Sequence, residues 1–174
     1  IRDRERAERL LGTVLKSLLI IGVGLMILGP LFANPIIKFL GATEETFGYT
    51  KDYFIVIYLM AIPYLLANAL NPLVRADGNP HLSMLMVGAG AIGNIILDWL
   101  FVIELGMGTM GAALATGAGV IFSTIIGLWY FLSGKSHVKF HKKYFKIDKK
   151  LLKDIFKIGF VSFMIQISIG VVIL

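Results

Sequence analysis

Asp98 is the residue of this sequence best suited to do chemistry, because it is the only acid set well inside a long apolar run, GNIILDWLFVI. An ionised carboxylate in mid-membrane costs about 2.5–3.5 kcal/mol on insertion scales, so such a group is expected to face a bundle interior or a wet cavity. Asn94 lies four residues earlier, on the same helix face, where its amide can hydrogen-bond to the carboxylate or share a ligand with it. Gly90 continues that face and leaves room beside it. Thr116 follows the short connection ELGMGT, at a depth matching that of Asp98, roughly 7–9 Å inside its own apolar run at helical rise. Together Asp98, Asn94 and Thr116 offer carboxylate, amide and hydroxyl oxygens, a set suited to a proton relay or to a hard cation such as Na⁺. The competing reading is an interhelical hydrogen-bond network that only holds the bundle together.

Asn68 and Asn71, at i and i+3 near the end of another apolar run, form a second polar pair. Asn71 precedes Pro72, so helix capping or termination stands beside a functional reading. Asp77 and Asn79 flank Gly78 before Pro80 and read as a turn, and Glu104 reads as interfacial and solvated. Other chemistries lack their residues. Cysteine is absent, and His81, His137 and His141 are scattered among turn signals, so neither a disulfide framework nor a metal cluster is expected. The sequence contains no Walker A pattern, nucleophile elbow, HExxH or dinucleotide fingerprint. A non-enzyme without a resident cofactor is expected, and an ATP-driven pump would need its nucleotide-binding part elsewhere.

The elements that must position these residues are apolar helices. Of the 174 residues 57% are hydrophobic and only 16% charged, and the mean hydropathy is +0.81. That is more apolar than one soluble core can hide, and the charges are confined to short intervals between long apolar runs. A bilayer core of about 30 Å takes roughly 20 apolar residues in a helix. Four spans are predicted, at about 10–33, 53–74, 82–103 and 110–132, followed by a lysine-rich linker at 133–154 and the start of a fifth span at 155–174. The fold class expected is all-α, a polytopic transmembrane bundle. The chain starts at Ile1 without an initiator Met and stops at Leu174 within an apolar run, so it is read as a fragment; the opening IRDRERAER lacks the small-residue cleavage site of a signal peptide.

Basic residues give the orientation, because loops rich in Lys and Arg stay in the cytoplasm. Arg2, Arg4, Arg6, Arg9, Arg75 and the nine lysines from Lys135 to Lys157 fall in alternate intervals, against Lys38 and Lys51 in the opposite ones. Lys16 lies about 9 Å into the first span and can snorkel back to the basic side. The amino end and the 133–154 linker are therefore expected in the cytoplasm of a multi-pass plasma-membrane protein. The formal charge of +6 does not point to nucleic acid, since the basic residues flank apolar runs rather than lie on a binding module.

Ala115, Gly119, Ser123 and Gly127 recur every four residues, a stripe along which a neighbouring backbone can approach. Pro63 sits inside the second span and is expected to bend it, as a gate or as plain structure. In the linker, Tyr144, Ile147, Leu151 and Ile155 have the spacing of an amphipathic helix on a leaflet surface; a solvated connector is the other reading.

The stretch RADGNPHLSMLMVGAGAIGNIILDWLFVIELGMGTMGAALATGAG resembles multidrug and toxic compound extrusion (MATE) transporters. Their pattern is a cytoplasmic Arg-x-x-Gly-Asp/Asn turn, a helix carrying Asn-Ile-x-x-Asp, then Leu-Gly-x-Gly-x-x-Gly-Ala-Ala-x-Ala-Thr. The resemblance extends over essentially the whole chain, which would represent helices three to six and the start of seven of a two-lobe, 12-helix transporter, with the lysine-rich segment joining the lobes. It implies a secondary antiporter that exports amphipathic, often cationic drugs or metabolites in exchange for H⁺ or Na⁺ by alternating access. It also implies that Asp98, Asn94 and Thr116 match the polar network of the archaeal and DinF-like branch, and that Asn68 and Asn71 match cavity-lining asparagines. The partners implied are small organic substrates, the lipid bilayer and the remaining helices of the full-length chain. Trp99 departs from the pattern, since relatives commonly place Pro after the aspartate. The nearest rival is a lipid or lipid-linked oligosaccharide flippase of the same superfamily, which would carry a strongly basic cavity; a non-transporting scaffold is the third reading.

Overall fold

The computed structural model describes residues 2–173, and among them every regular element is helical. Seven α-helices follow in order: α1 (Arg2–Leu31), α2 (Ala33–Phe39), α3 (Glu44–Leu59), α4 (Ala61–Ala76), α5 (Pro80–Asp98), α6 (Gly108–Leu132) and α7 (Lys149–Ile173). A π-helical segment, Trp99–Glu104, continues α5, and one 3₁₀ turn, Lys142–Tyr144, lies between α6 and α7. The chain forms two compact units. One combines the chain up to Ser17 with the chain from Phe140; the other is Leu18–Lys139.

In the larger unit α6 is the central helix, packed against α3, α4 and α5. Its small residues explain the position. Ala113, Ala115, Gly119 and Gly127 are buried on it, and a Cβ placed on Gly119 would lie 2.5 Å from the Gly90 carbonyl oxygen of α5. The backbones of α5 and α6 thus meet with no side chain between them, the packing that small residues allow in an apolar solvent. Two hydroxyls then tie α6 to its neighbours. Ser123 Oγ donates to the Met86 carbonyl of α5 at 2.6 Å, and Thr124 Oγ1 donates to the Pro63 carbonyl of α4 at 2.8 Å.

The segment read as a span at 53–74 falls within two helices, α3 and α4. α3 starts at Glu44, where Thr43 and Thr46 exchange backbone and hydroxyl hydrogen bonds in a capping box. α3 and α4 then meet at Met60 with a 60° bend. Pro63 supplies the cause: it has no N–H for the Leu59 carbonyl, and its ring crowds that carbonyl. Ala61, Leu66, Leu70 and Val74 form the buried edge of α4. Asn79 caps α5 by accepting from the Leu82 N–H at 3.0 Å, with Pro80 in its first turn.

Three helical stretches, Arg4–Leu31, Pro80–Glu104 and Gly108–Leu132, are long and apolar enough to cross a membrane, or four if the bent α3–α4 pair is one span.

In the smaller unit the linker forms no amphipathic helix through Tyr144 and Ile147; its aromatic residues lie along the basic end of α1. The Tyr144 carbonyl lies against Gly12, Thr13 Oγ1 donates to the Lys146 carbonyl at 3.2 Å, and the Arg9 guanidinium stands 5.6 Å from the Tyr144 ring centre. Lys16 is 5.9 Å from the Phe145 ring. Leu151 is buried on α7 while Ile147 is exposed before it, so the two do not share a helical face.

Candidate functional site

A cavity of about 440 Å³ opens between α4, α5 and α6. Asn68 and Asn71 of α4, Asn94 of α5, and Thr116 and Ser123 of α6 supply its polar wall, with Tyr64 beside them. No lining residue carries a formal charge. The structure therefore brings four of the five sequence-derived candidates to one surface. Asp98 is not among the lining residues; it stands one helical turn beyond Asn94 on α5, partly exposed. Its carboxylate takes part in none of the side-chain hydrogen bonds or ion pairs among the described residues.

Each wall group is held differently. Asn71 is held through both ends of its amide: its Nδ2 donates one N–H to the Ser83 carbonyl at 2.8 Å, while its Oδ1 accepts from Ser83 Oγ at 3.0 Å and from Arg75 at 3.3 Å. It joins α4 to α5 and does not end its helix, which runs on to Ala76 through Pro72. Asn68 donates to the Tyr64 carbonyl of its own helix at 2.8 Å, leaving its Oδ1 available. Pro72 offers no N–H, so the Asn68 carbonyl lacks its i+4 donor. Thr116 Oγ1 donates to the Ala112 carbonyl at 2.9 Å, which commits its proton and leaves its oxygen free to accept.

Asn94 is the exception. Its Nδ2 is buried and without a hydrogen-bond partner. An unmade hydrogen bond of this kind costs about 1–3 kcal/mol. The wall thus offers acceptor oxygens from Thr116 and Asn68 among apolar groups, a neutral polar site.

Beyond Asp98 the helix does not break. The Trp99 N–H reaches the Ile95 and Ile96 carbonyls, where a proline would leave them unpaired. The chain then widens into the π-helical segment, with the Leu105 N–H donating to the Leu100 carbonyl at 3.0 Å. Such segments recur at functional sites.

Sequence reasoning does not single out Ser83, and it places Ser123 only in the small-residue stripe and Asp77 only in a turn. Ser83 is fully buried and links Asn71 to Arg75; as one serine after a turn it carries no periodic signal. Asp77 was read only as a turn former, yet its carboxylate is almost completely buried.

Known proteins resemble this chain in sequence and in fold. The MatE family model matches residues 1–100. The multidrug export protein MepA of Staphylococcus saprophyticus is 34% identical over 154 residues, covering 88% of this chain and 34% of that protein. MepA of Staphylococcus aureus strain N315 is 33% identical over 139 residues, covering 80% of this chain and 31% of its own length. This chain therefore spans about a third of the length of these curated relatives. Among solved structures, a MOP superfamily transporter from Pyrococcus furiosus, described for the reverse polarity of its binding pocket, superposes with a TM-score of 0.88 at 29% identity, covering 98% of this chain and 38% of that one. A MATE crystal structure in the bent conformation gives 0.88 at 27% identity with the same coverage. An inward-facing multidrug resistance MATE transporter shares the fold, with a TM-score of 0.75 at 23% identity, covering 88% of this chain and 41% of its own. The apolar helices and this kinship make the protein a multi-pass membrane protein. With more than half of its residues matched by the family model and its helices superposing on those of solved MATE transporters, the chain belongs to the MATE family.

Proposed function

We propose that this chain is part of a secondary antiporter that exports amphipathic, cationic drugs or metabolites in exchange for H⁺ or Na⁺. The observation that carries the reading is the cavity between α4, α5 and α6, where Asn68, Asn71, Asn94 and Thr116 converge one helical turn from Asp98, the single acid deep in the apolar spans. In this scheme Asn68 and Asn71 face cargo. Asp98, Asn94 and Thr116 form the coupling group: protonation or Na⁺ binding at the carboxylate neutralises the charge and changes what the adjoining amide and hydroxyl can hold. An acid near a neutral polar wall attracts cations without fixing their shape, which suits a range of amphipathic cargo. The kinship with multidrug export proteins supports the cargo class. The polar network of the archaeal and DinF-like branch is the pattern that these three residues carry.

The basic intervals favour a cytoplasmic amino end and a cytoplasmic 133–154 segment joining the two lobes of the full-length protein. Export then proceeds as the lobes expose the cavity alternately to each side. A flippase for pyrophosphate-bearing lipids would need basic groups at the cavity, and its wall is uncharged.

The test is efflux of a lipophilic cation such as ethidium from cells carrying the full-length protein or its Asp98→Asn variant, matched for membrane expression. Loss of efflux in Asp98→Asn is expected. Wild-type efflux in that variant would remove Asp98 from the mechanism.

A further inference from the structure

We propose that Asp77 is a positioning residue that anchors the chain as it leaves α6, and so fixes the starting point of the basic segment that joins the lobes; this rests on the transport reading above. The proposal starts from what the Asp77 carboxylate does not do. An aspartate in a tight turn ordinarily accepts from an N–H of its own turn. Here Asn79 does that work, capping α5 through the Leu82 N–H, while Gly78, with φ of +97°, reverses the chain. The Asp77 carboxylate, 2% exposed, accepts instead from three donors more than fifty residues away. Tyr130 Oη donates to Oδ2 at 2.8 Å, the His137 N–H donates to Oδ2 at 2.8 Å, and the Val138 N–H donates to Oδ1 at 2.9 Å. His137 Nδ1 lies 2.8 Å from the Asp77 carbonyl oxygen and 3.7 Å from Oδ2, with its side chain largely exposed.

The donors define the purpose. Tyr130 is buried in the last turn of α6, and the two N–H groups belong to the irregular chain that follows. Gly134, at φ of +74°, turns that chain, and Ser136 Oγ, itself buried, donates to the Val138 carbonyl at 2.8 Å and tightens it. One carboxylate thus binds the end of α6 and its exit to the turn between α4 and α5. Hydrogen bonds to an ionised acceptor are about twice as strong as neutral ones, and three of them answer the desolvation of a buried charge. Asparagine cannot replace it. An Nδ2 in either oxygen position would point at a backbone N–H, so one donor of the 137–138 pair is always opposed. When the lobes move, force passes through the segment between them, and a fixed exit makes that movement act on α4–α6 rather than dissipate in a loose loop.

The experiment uses the full-length protein with Asp77→Ala, Asp77→Asn and Tyr130→Phe. Hydrogen–deuterium exchange reads the amides of His137 and Val138, while ethidium binding and transport rate are measured in parallel. In Asp77→Ala those amides should exchange about tenfold faster or more, the loss expected for hydrogen bonds to a charged group. Tyr130→Phe keeps the carboxylate and both amides and should give a smaller increase, so it serves if Asp77→Ala fails to fold. Transport rate should fall by about fivefold or more with ethidium affinity nearly unchanged, a split that general destabilisation would not produce. Unchanged protection at 137 and 138 in the Asp77 variants overturns the anchor. Faster exchange with wild-type transport overturns the positioning role. A wild-type protein that protects these amides yet moves no ethidium keeps the anchor and sinks the transport reading.

Discussion

Gly119→Ala should separate α5 from α6 and deform the cavity between them. The new Cβ would stand 2.5 Å from the Gly90 carbonyl oxygen and 3.1 Å from Asn94 Cβ. Non-bonded heavy atoms settle near 3.5 Å, so the helices must part by about 1 Å at this point. The obstacle is backbone, which no rotamer change can move aside. Overpacking of this kind costs about 1–3 kcal/mol, set against the roughly 0.5–1 kcal/mol that alanine gains over glycine within a helix. Net destabilisation follows, concentrated beside the cavity that Asn94 and Thr116 line. Gly88→Ala is the matched control, since among the described residues nothing beyond its own helical turn lies within 4 Å of a Cβ there, and it should be neutral or slightly stabilising. The assay is thermal stability of the full-length protein in detergent, followed by the surviving monodisperse fraction. Gly119→Ala should melt several degrees below wild type and bind ethidium more weakly, with Gly88→Ala indistinguishable from wild type or above it. If the two substitutions behave alike, the close approach of α5 and α6 at Gly90 and Gly119 is not what holds them.

Asn94→Leu removes a buried N–H that lacks a partner, so the full-length protein should melt no lower than wild type; a clear fall in melting temperature would show that this amide is hydrogen-bonded in the intact transporter. Pro63→Ala returns an N–H to the Leu59 carbonyl and should straighten the 60° bend. Two 16-residue helices are about 24 Å each, so the distance between spin labels at positions 44 and 76 should grow by about 6 Å, and an unchanged distance would assign the bend to packing around Met60.

The apolar runs and their turns were legible because membrane helices must satisfy their backbone internally and therefore announce themselves by length. The stripe from Ala115 to Gly127 and the polar residues Asn68, Asn71, Asn94 and Thr116 followed from helical spacing, and all four polar residues reach the cavity. Three features did not follow. Pro63 marks the bend itself, but the break lies at Met60, three residues before the proline, because the lost hydrogen bond is made to the preceding turn. The π-helical segment after Asp98 has no compositional mark, since its residues are as apolar as those of α5. The burial of Asp77 depends on donors from Tyr130, His137 and Val138, two of them backbone groups that any sequence would supply. Local pattern reveals which face of a helix is apolar; it does not reveal which distant loop returns to a turn.

The central claim is that movement of cargo and movement of an ion are linked through Asp98. It is tested most directly in proteoliposomes of the full-length protein, by imposing an ethidium gradient and recording H⁺ or Na⁺ flux with ion-sensitive dyes trapped inside. Wild type should drive one of these ions against the ethidium flow, and Asp98→Asn should bind ethidium yet move no ion. Equal ion flux in Asp98→Asn, or ethidium transport by wild type with neither ion moving, would contradict the account.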